Sequence, residues 1–172
     1  NISVKFKNYF DKIGLPFEKI LISLGLSPDK KVFKTFQKAS LKNIDLIQPY
    51  PWANKQFKFL EKKKIKFSIL TSKDLKRSKY LLNKYKILPQ TIHCPEKKLR
   101  GKPYPDQIFD CLKKNKIKKK DACFVGDTYI DYMAAKKANI GFIFAKYGYG
   151  IDKKIYKNKI LKFKDISKYL VM

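Results

Sequence analysis

Histidine, arginine and acid are scarce in this sequence. His93 is the only histidine, and it has no nearby carboxylate or Cys/His set in sequence, so it reads as a satisfied structural residue rather than a catalyst. Cys94, Cys111 and Cys123 are odd in number and lack the paired spacing of a zinc site or a disulfide framework. Reduced, mostly buried thiols and a cytoplasmic location are the expectation they support. No apolar run approaches the length needed to cross a bilayer and no signal-peptide pattern occurs, so a membrane is not an expected partner. Internal repeats are missing too. Only 14 acidic residues face 41 basic ones, giving a formal charge of +27. That charge invites a nucleic-acid partner, but all the basic residues except Arg77 and Arg100 are lysine. Arginine supplies the bidentate contacts that readers of phosphate and guanine use. The lysines are spread over the polar face of every expected helix, so a solvated, composition-driven surface outweighs nucleic-acid binding. The charge can still draw in small anions.

What is present is enough for a core. The 172 residues are 44% hydrophobic and 15% aromatic, which suits one ordinary domain with at most a small appendage. The spacing of apolar residues predicts helices over 17–24 and, opened by Ser27-Pro28-Asp29, over the residues carrying Val32, Phe33, Phe36 and Ala39. A hinge at 47–51 leads to a helix over 52–63 and a strand over 65–70 that ends at Thr71-Ser72. A helix over 75–86, capped by Asp74, is expected to turn Leu75, Tyr80, Leu81, Leu82 and Tyr85 inward. A strand over 90–94 and a helix over 106–114 follow. The tail is anchored by Ile160, Ile166, Tyr169 and Leu170. Strands alternating with helices from Trp52 onward point to an α/β fold with a parallel sheet.

The chain centres on residues 121–143. Ala122–Val125 reads as a buried strand, Gly126 breaks it, and Asp127 sits at its carboxyl end. A helix begins at Thr128 with Tyr129, Ile130, Met133, Ala134 and Ala138 on its apolar stripe, and a strand follows over 141–145. Ligands of open α/β sheets bind outside the carboxyl ends of the strands. Asp127 and Asp131 there suit a hard cation such as Mg²⁺. A helix-capping Asp127 with a solvated Asp131 explains the same stretch as well. Two further features are weak alone. Thr71 and Ser72 at a strand tip can cradle phosphate, or simply cap a helix. Lys102, set between Gly101 and Pro103, is rigidly presented, or is one more solvated lysine.

Taken in order, Ile69-Leu70-Thr71, Gly101-Lys102-Pro103-Tyr104-Pro105 with Phe109, and Val125-Gly126-Asp127-Thr128-Tyr129-Ile130-Asp131 followed by Ala-Ala resemble the second, third and fourth motifs of the haloacid dehalogenase-like hydrolases. The phosphoglycolate phosphatase-like branch fits best. Tyr147 to Gly150 is similar to its Gly-Tyr-Gly turn, and Ile13-Gly14-Leu15-Pro16 with the following helices resembles its helical cap. The resemblance implies a Rossmann-like core over 49–172 lacking its first strand, and a partial helical cap over 1–48. It further implies Mg²⁺-dependent hydrolysis of a small phosphorylated metabolite through an aspartyl-phosphate, by a monomer or weak homodimer. Thr71 and Ser72 would bind phosphoryl oxygens, and Lys102 would neutralise phosphate charge and keep the nucleophile ionised. Asp127 would ligate Mg²⁺, and Asp131 would orient metal waters or Lys102.

One departure matters. The family's first motif, Asp-x-Asp after an apolar strand, does not occur. Asp11 in Tyr9-Phe10-Asp11-Lys12-Ile13 is a poor substitute, because Lys5, Lys7 and Asn8 interrupt what should be a buried central strand. The expected sheet then has a gap between the strands ending at Thr71 and Asp127. A further 25 to 35 or so upstream residues are expected to fill it. A non-catalytic interaction module and, less favoured, a basic nucleic-acid-binding protein are the competing functions.

Overall fold

The structure, a computed structural model, describes residues 4–96, 98–149, 159–160 and 163–166. Three helices come first: α1 (Phe6–Phe10), α2 (Phe17–Ser23) and α3 (Lys30–Lys42). Asp29 caps α3 by accepting from the Val32 N–H at 2.8 Å. Gly25 follows α2 with a positive φ. No residue of α3 is fully buried; its apolar face instead seats Phe33 and Phe36 on Phe17 of α2, the Phe17–Phe36 rings stacking at 3.8 Å. Aromatic contact therefore holds the two helices together.

The α/β part runs α4 (Ala53–Lys62), β1 (Ile69–Leu70), α5 (Leu75–Lys84), β2 (Ile92–His93), α6 (Asp106–Asn115), β3 (Cys123–Gly126), α7 (Tyr129–Ala138), β4 (Gly141–Ala145) and β5 (Lys159–Ile160). Every pairing among these strands is parallel, as the alternation of elements requires. They form two sheets. β1 pairs with β2, Ile69 opposite Ile92; β3 pairs with β4, Cys123 opposite Gly141, and β4 with β5. Among the described residues β1 and β3 are not hydrogen-bonded to each other. α6 and α7 lie over the junction: Ile108, Ala134 and Ala138 form one core cluster that gathers Leu70 from β1 and Phe124 from β3. On the other face Ile143, Ala145 and Ile166 pack with Val125 and Tyr147. Phe124 and Val125 thus serve opposite faces, as successive strand residues must.

Several expectations need correction. The strand over 65–70 is regular only at 69–70, because among the described residues it has a partner on one side alone; Gln90 N–H to Phe67 O extends the pairing by a single bond. On α5 the inward residues are Arg77, Ser78 and Leu82, whereas Leu75 and Tyr80 are exposed. Tyr80 lies beyond the buried arc and donates to Asp45 Oδ1 at 2.7 Å. On α7, Tyr129 is exposed and the buried set is Asp131, Ala134, Ala135 and Ala138. Small residues there let α7 approach the sheet closely. Cys94 is buried, but Cys111 is half-buried and Cys123 exposed at the start of β3; all three are free thiols. No helix among the described residues is long and apolar enough to cross a membrane. Of the tail anchors, Ile166 is buried, while Tyr169 and Leu170 lie outside the described residues.

Candidate active site

The carboxyl ends of β1 and β3 open on one cavity of about 460 Å³, lined by Thr71, Ser72, Lys73, Lys102, Asp127, Thr128 and Asp131 from the α/β part. Tyr9, Gly14, Phe36 and Ser40 line it from the helical segment. All five residues singled out from the sequence (Thr71, Ser72, Lys102, Asp127 and Asp131) therefore meet at one place.

Asp131 is its fixed centre and is only 3% exposed. Thr128, not Asp127, caps α7, and Thr128 and Asp131 make a reciprocal capping box. Asp131 Oδ2 accepts from the Thr128 hydroxyl at 2.7 Å, the Thr128 N–H at 3.1 Å and the Asp127 N–H at 3.3 Å. Its Oδ1 accepts from the Lys102 ammonium at 2.6 Å, itself 8% exposed. The alternative of a helix-capping Asp127 with a solvated Asp131 is overturned: a carboxylate three residues into a helix folds back onto the free N–H groups of its first turn. Gly126 makes room for this, since a Cβ there would come within 2.4 Å of Asp131 Cβ. The Thr-x-x-Asp spacing was visible in the sequence as a capping signal.

Asp127 is different. It accepts from the Tyr149 N–H at 2.8 Å through Oδ2, and the turn after β4 closes on it so tightly that a Cβ on Gly148 would lie 2.1 Å from that oxygen. Burial pushes the Asp127 carboxyl above its usual range; the neighbouring Asp131 adds to this, and the Tyr149 N–H and Lys102 oppose it. The ammonium at hand is bonded to Asp131, and among the described residues no ion pair reaches the half-buried Asp127 carboxylate. Nothing in the sequence pointed to the 147–149 turn as its partner.

Thr71 Oγ1 accepts from the Lys73 N–H at 3.1 Å, which leaves its hydroxyl proton to donate. Ser72 is committed elsewhere: its hydroxyl donates to the Gly14 carbonyl at 2.9 Å, tying the helical segment to the β1 tip. Any contact of Ser72 with an anion would use its backbone N–H. Gly14 sits at φ +105°, and a Cβ there would crowd Thr128 Oγ1 at 3.0 Å. Asp11 is exposed at the end of α1 and outside the cavity lining, as its interrupted strand pattern required.

The residues fit part of a Mg²⁺ site. Mg²⁺ takes one or two carboxylates together with waters and substrate phosphate. Asp127 can offer one carboxylate, and both Asp131 oxygens are engaged within the fold. No group of three or more acidic, histidine or cysteine side chains that could hold a metal occurs among the described residues. His93 lies apart from the cavity lining. It is 2% exposed, with Nδ1 2.9 Å from Asp110 Oδ2 and Nε2 2.9 Å from Thr91 Oγ1. Its carboxylate partner exists, then, but 17 residues away on α6.

Residues 3–145 match the family model described as haloacid dehalogenase-like hydrolase. The chain belongs to the haloacid dehalogenase-like hydrolases. A phosphoglycolate phosphatase of Pseudomonas savastanoi pv. phaseolicola is 25% identical over 95% of this chain, which spans 58% of that relative's length. A hydrolase from Pseudomonas syringae superposes with a TM-score of 0.84 at 21% identity, over 99% of this chain and 84% of the other. A haloacid dehalogenase-like family hydrolase from Streptococcus pneumoniae gives 0.81 at 20% identity, over 98% and 82%. These likenesses establish the haloacid dehalogenase-like α/β fold.

Proposed function

We propose that this chain carries the phosphate- and metal-binding side of a Mg²⁺-dependent phosphomonoesterase acting on a small phosphorylated metabolite. The observation that carries the reading is the convergence of Thr71, Lys102 and Asp127 on one cavity, with Lys102 locked on buried Asp131. Thr71 donates its hydroxyl to a phosphoryl oxygen, and the Ser72 backbone N–H is a further donor. Lys102, held by Asp131, keeps a positive charge beside the phosphoryl group and any attacking carboxylate. Asp127 holds Mg²⁺, which when bound offsets negative charge on the transferred group. Residues 1–48 act as a partial cap that shields the cavity from water, and residues 49–172 as the core.

The nucleophile in this reading is an aspartate upstream of residue 1, at the tip of a strand seated between β1 and β3 and forming an aspartyl-phosphate. Two facts favour that seat: β1 and β3 share no hydrogen bonds among the described residues, and β3 is half-buried where its partner β4 is buried at Ile143, Phe144 and Ala145. The test compares this chain with the same chain extended by its natural upstream residues, on a generic aryl phosphate with and without Mg²⁺. The extended chain should turn over only with Mg²⁺, and Asp127→Ala should cost at least about 100-fold. Inactivity of the extended chain would leave the fold serving as a non-catalytic interaction module, and full activity of Asp127→Ala would remove Asp127 from the metal site.

A further inference from the structure

The amino ends of the strands form an edge opposite the cavity. The carboxyl ends of β1 and β3 open on that cavity, and parallel pairing aligns β2 with β1 and β4 with β3. Four helix-to-strand connections, residues 61–66, 84–88, 113–121 and 136–140, therefore meet at this edge. Fourteen of those 25 residues are lysine, and two, Glu61 and Asp121, are acidic. All fourteen lysines are exposed.

The four connections are built alike. α4, α5, α6 and α7 are each followed by a residue of positive φ, respectively Lys64, Lys86, Lys116 and Asn139. An isoleucine comes next, and its N–H donates back into the last turn. Ile65 reaches Leu60 O at 2.8 Å, Ile87 reaches Leu82 O at 2.9 Å, Ile117 reaches Leu112 O at 3.0 Å and Ile140 reaches Ala135 O at 3.2 Å. Such helix ends ordinarily take glycine, then asparagine, because a Cβ is strained there. Three of these four hold lysine instead. Lysine near a helix end complements the helix dipole. That does not account for Lys66, or for Lys118, Lys119 and Lys120, which lie beyond the α-helix ends. Lys84 and Lys114 pair with Asp45 and Asp110, and Lys119 and Lys137 lie over the Phe109 and Tyr104 rings. Among the described residues no salt bridge reaches the other lysines of the edge.

The chemistry of this edge favours a lipid surface over a nucleic acid. The four connections contain no arginine, and their one aromatic residue, Tyr85, is half-buried with its hydroxyl donated to the Ile47 carbonyl. Their helix ends present carbonyl groups, whereas the N–H groups that grip single phosphates lie at the other ends of the helices. The edge does carry an apolar tip: Leu88, two residues after Lys86, is 76% exposed. An anionic bilayer attracts clustered lysines through charge alone and takes up an apolar side chain among its headgroups. Such surface contact needs no membrane-spanning helix.

We propose that this edge docks the protein on an anionic lipid surface, with Leu88 entering the headgroup layer and the cavity turned towards the aqueous phase. The proposal does not depend on the phosphatase reading.

The test is co-sedimentation with vesicles at an ionic strength of about 0.15 M, which screens diffuse attraction. Vesicles of phosphatidylcholine alone are compared with vesicles in which about a third of the lipid is phosphatidylserine. The chain should bind the second kind about tenfold or more tightly. Lys118→Glu/Lys119→Glu/Lys120→Glu should lower that binding about tenfold or more. Lys31→Glu/Lys34→Glu/Lys38→Glu makes the same charge change on exposed positions of α3, away from the edge, and should lower it less than about twofold. Leu88→Ser, which changes no charge, should lower it about threefold. A thermal melt checks that each variant folds. Equal binding to the two kinds of vesicle, equal losses from the two triple variants, or parental binding by Leu88→Ser overturns the proposal. A DNA duplex bound more tightly than the vesicles at equal phosphate concentration, and lost by the 118–120 variant, would make the edge a nucleic-acid face and also overturn it.

Discussion

The Lys102 ammonium lies 2.6 Å from Asp131 Oδ1, and both side chains are more than nine-tenths buried. Breaking such a pair strands a charge in the interior, which costs far more than the pair itself contributes. Asp131→Ala also removes the acceptor for the Thr128 hydroxyl and two N–H groups. We expect it to lower unfolding free energy by about 3–5 kcal/mol in urea titrations, with Lys102→Met close behind. The double variant Lys102→Met/Asp131→Leu should be less damaged than the sum of the two, because it leaves no unpaired charge.

Asp127 should trade stability for binding. Its carboxyl is raised by burial, so the folded state holds a proton more readily than the unfolded chain does. The unfolded state then binds fewer protons between the ordinary and the raised value, and the stability this group contributes falls as pH rises through that window. Asp127→Asn, still able to accept from the Tyr149 N–H, should melt at or above the parent temperature at neutral pH without Mg²⁺. Added Mg²⁺ should raise the melting temperature of the parent chain and leave the variant unmoved. A variant that melts clearly lower without the metal would show that the charge was already compensated.

Gly148 controls the approach of the 147–149 turn to Asp127. Gly148→Ala places a Cβ within 2.1 Å of Asp127 Oδ2, so carboxylate or turn must move. Mg²⁺ affinity, read from the metal-dependent shift in melting temperature, should fall by about tenfold. Gly126→Ala drives the same kind of clash into Asp131 and should cost about 1–3 kcal/mol of stability as well.

His93 should set an acid limit on stability. Burial pulls it below its ordinary value near 6.5, against the raising effect of Asp110 and the smaller influences of Lys114 (lowering) and Glu96 (raising). As pH falls through the ordinary histidine range the unfolded state takes up a proton that the folded state resists, so stability declines there and is regained as pH rises. His93→Gln, which keeps hydrogen-bonding capacity towards Asp110 and Thr91, should flatten the dependence as pH falls below the ordinary histidine value near 6.5. An unchanged profile would place the acid sensitivity in the carboxylates.

The parts of this chain legible in the sequence were those set by local rules. Helix spans followed from apolar spacing and from Asp29 and Asp74 as caps, and β4 was found at its observed bounds because Gly141–Ala145 is apolar throughout. Thr71, Lys102, Asp127 and Asp131 could be named because each sits at a strand end or a helix entrance. Their separate weakness was removed only by the order in which they occur.

Tertiary structure decided what each does. Asp127 and Asp131 are chemically identical and four residues apart, yet one is satisfied by Lys102 and the α7 cap while the other meets a single N–H from a turn 22 residues on. Likewise Lys73 looks like any other lysine of the chain, and Ser72 like any strand-tip hydroxyl, until the Ser72 hydroxyl binds the Gly14 carbonyl and Lys73 is half-buried in the cavity wall. Residue type and spacing fix which backbone turns form, because those depend on neighbours in sequence. Charge state and availability depend on which distant groups come within about 3 Å and how much water they displace, and only the folded chain sets that.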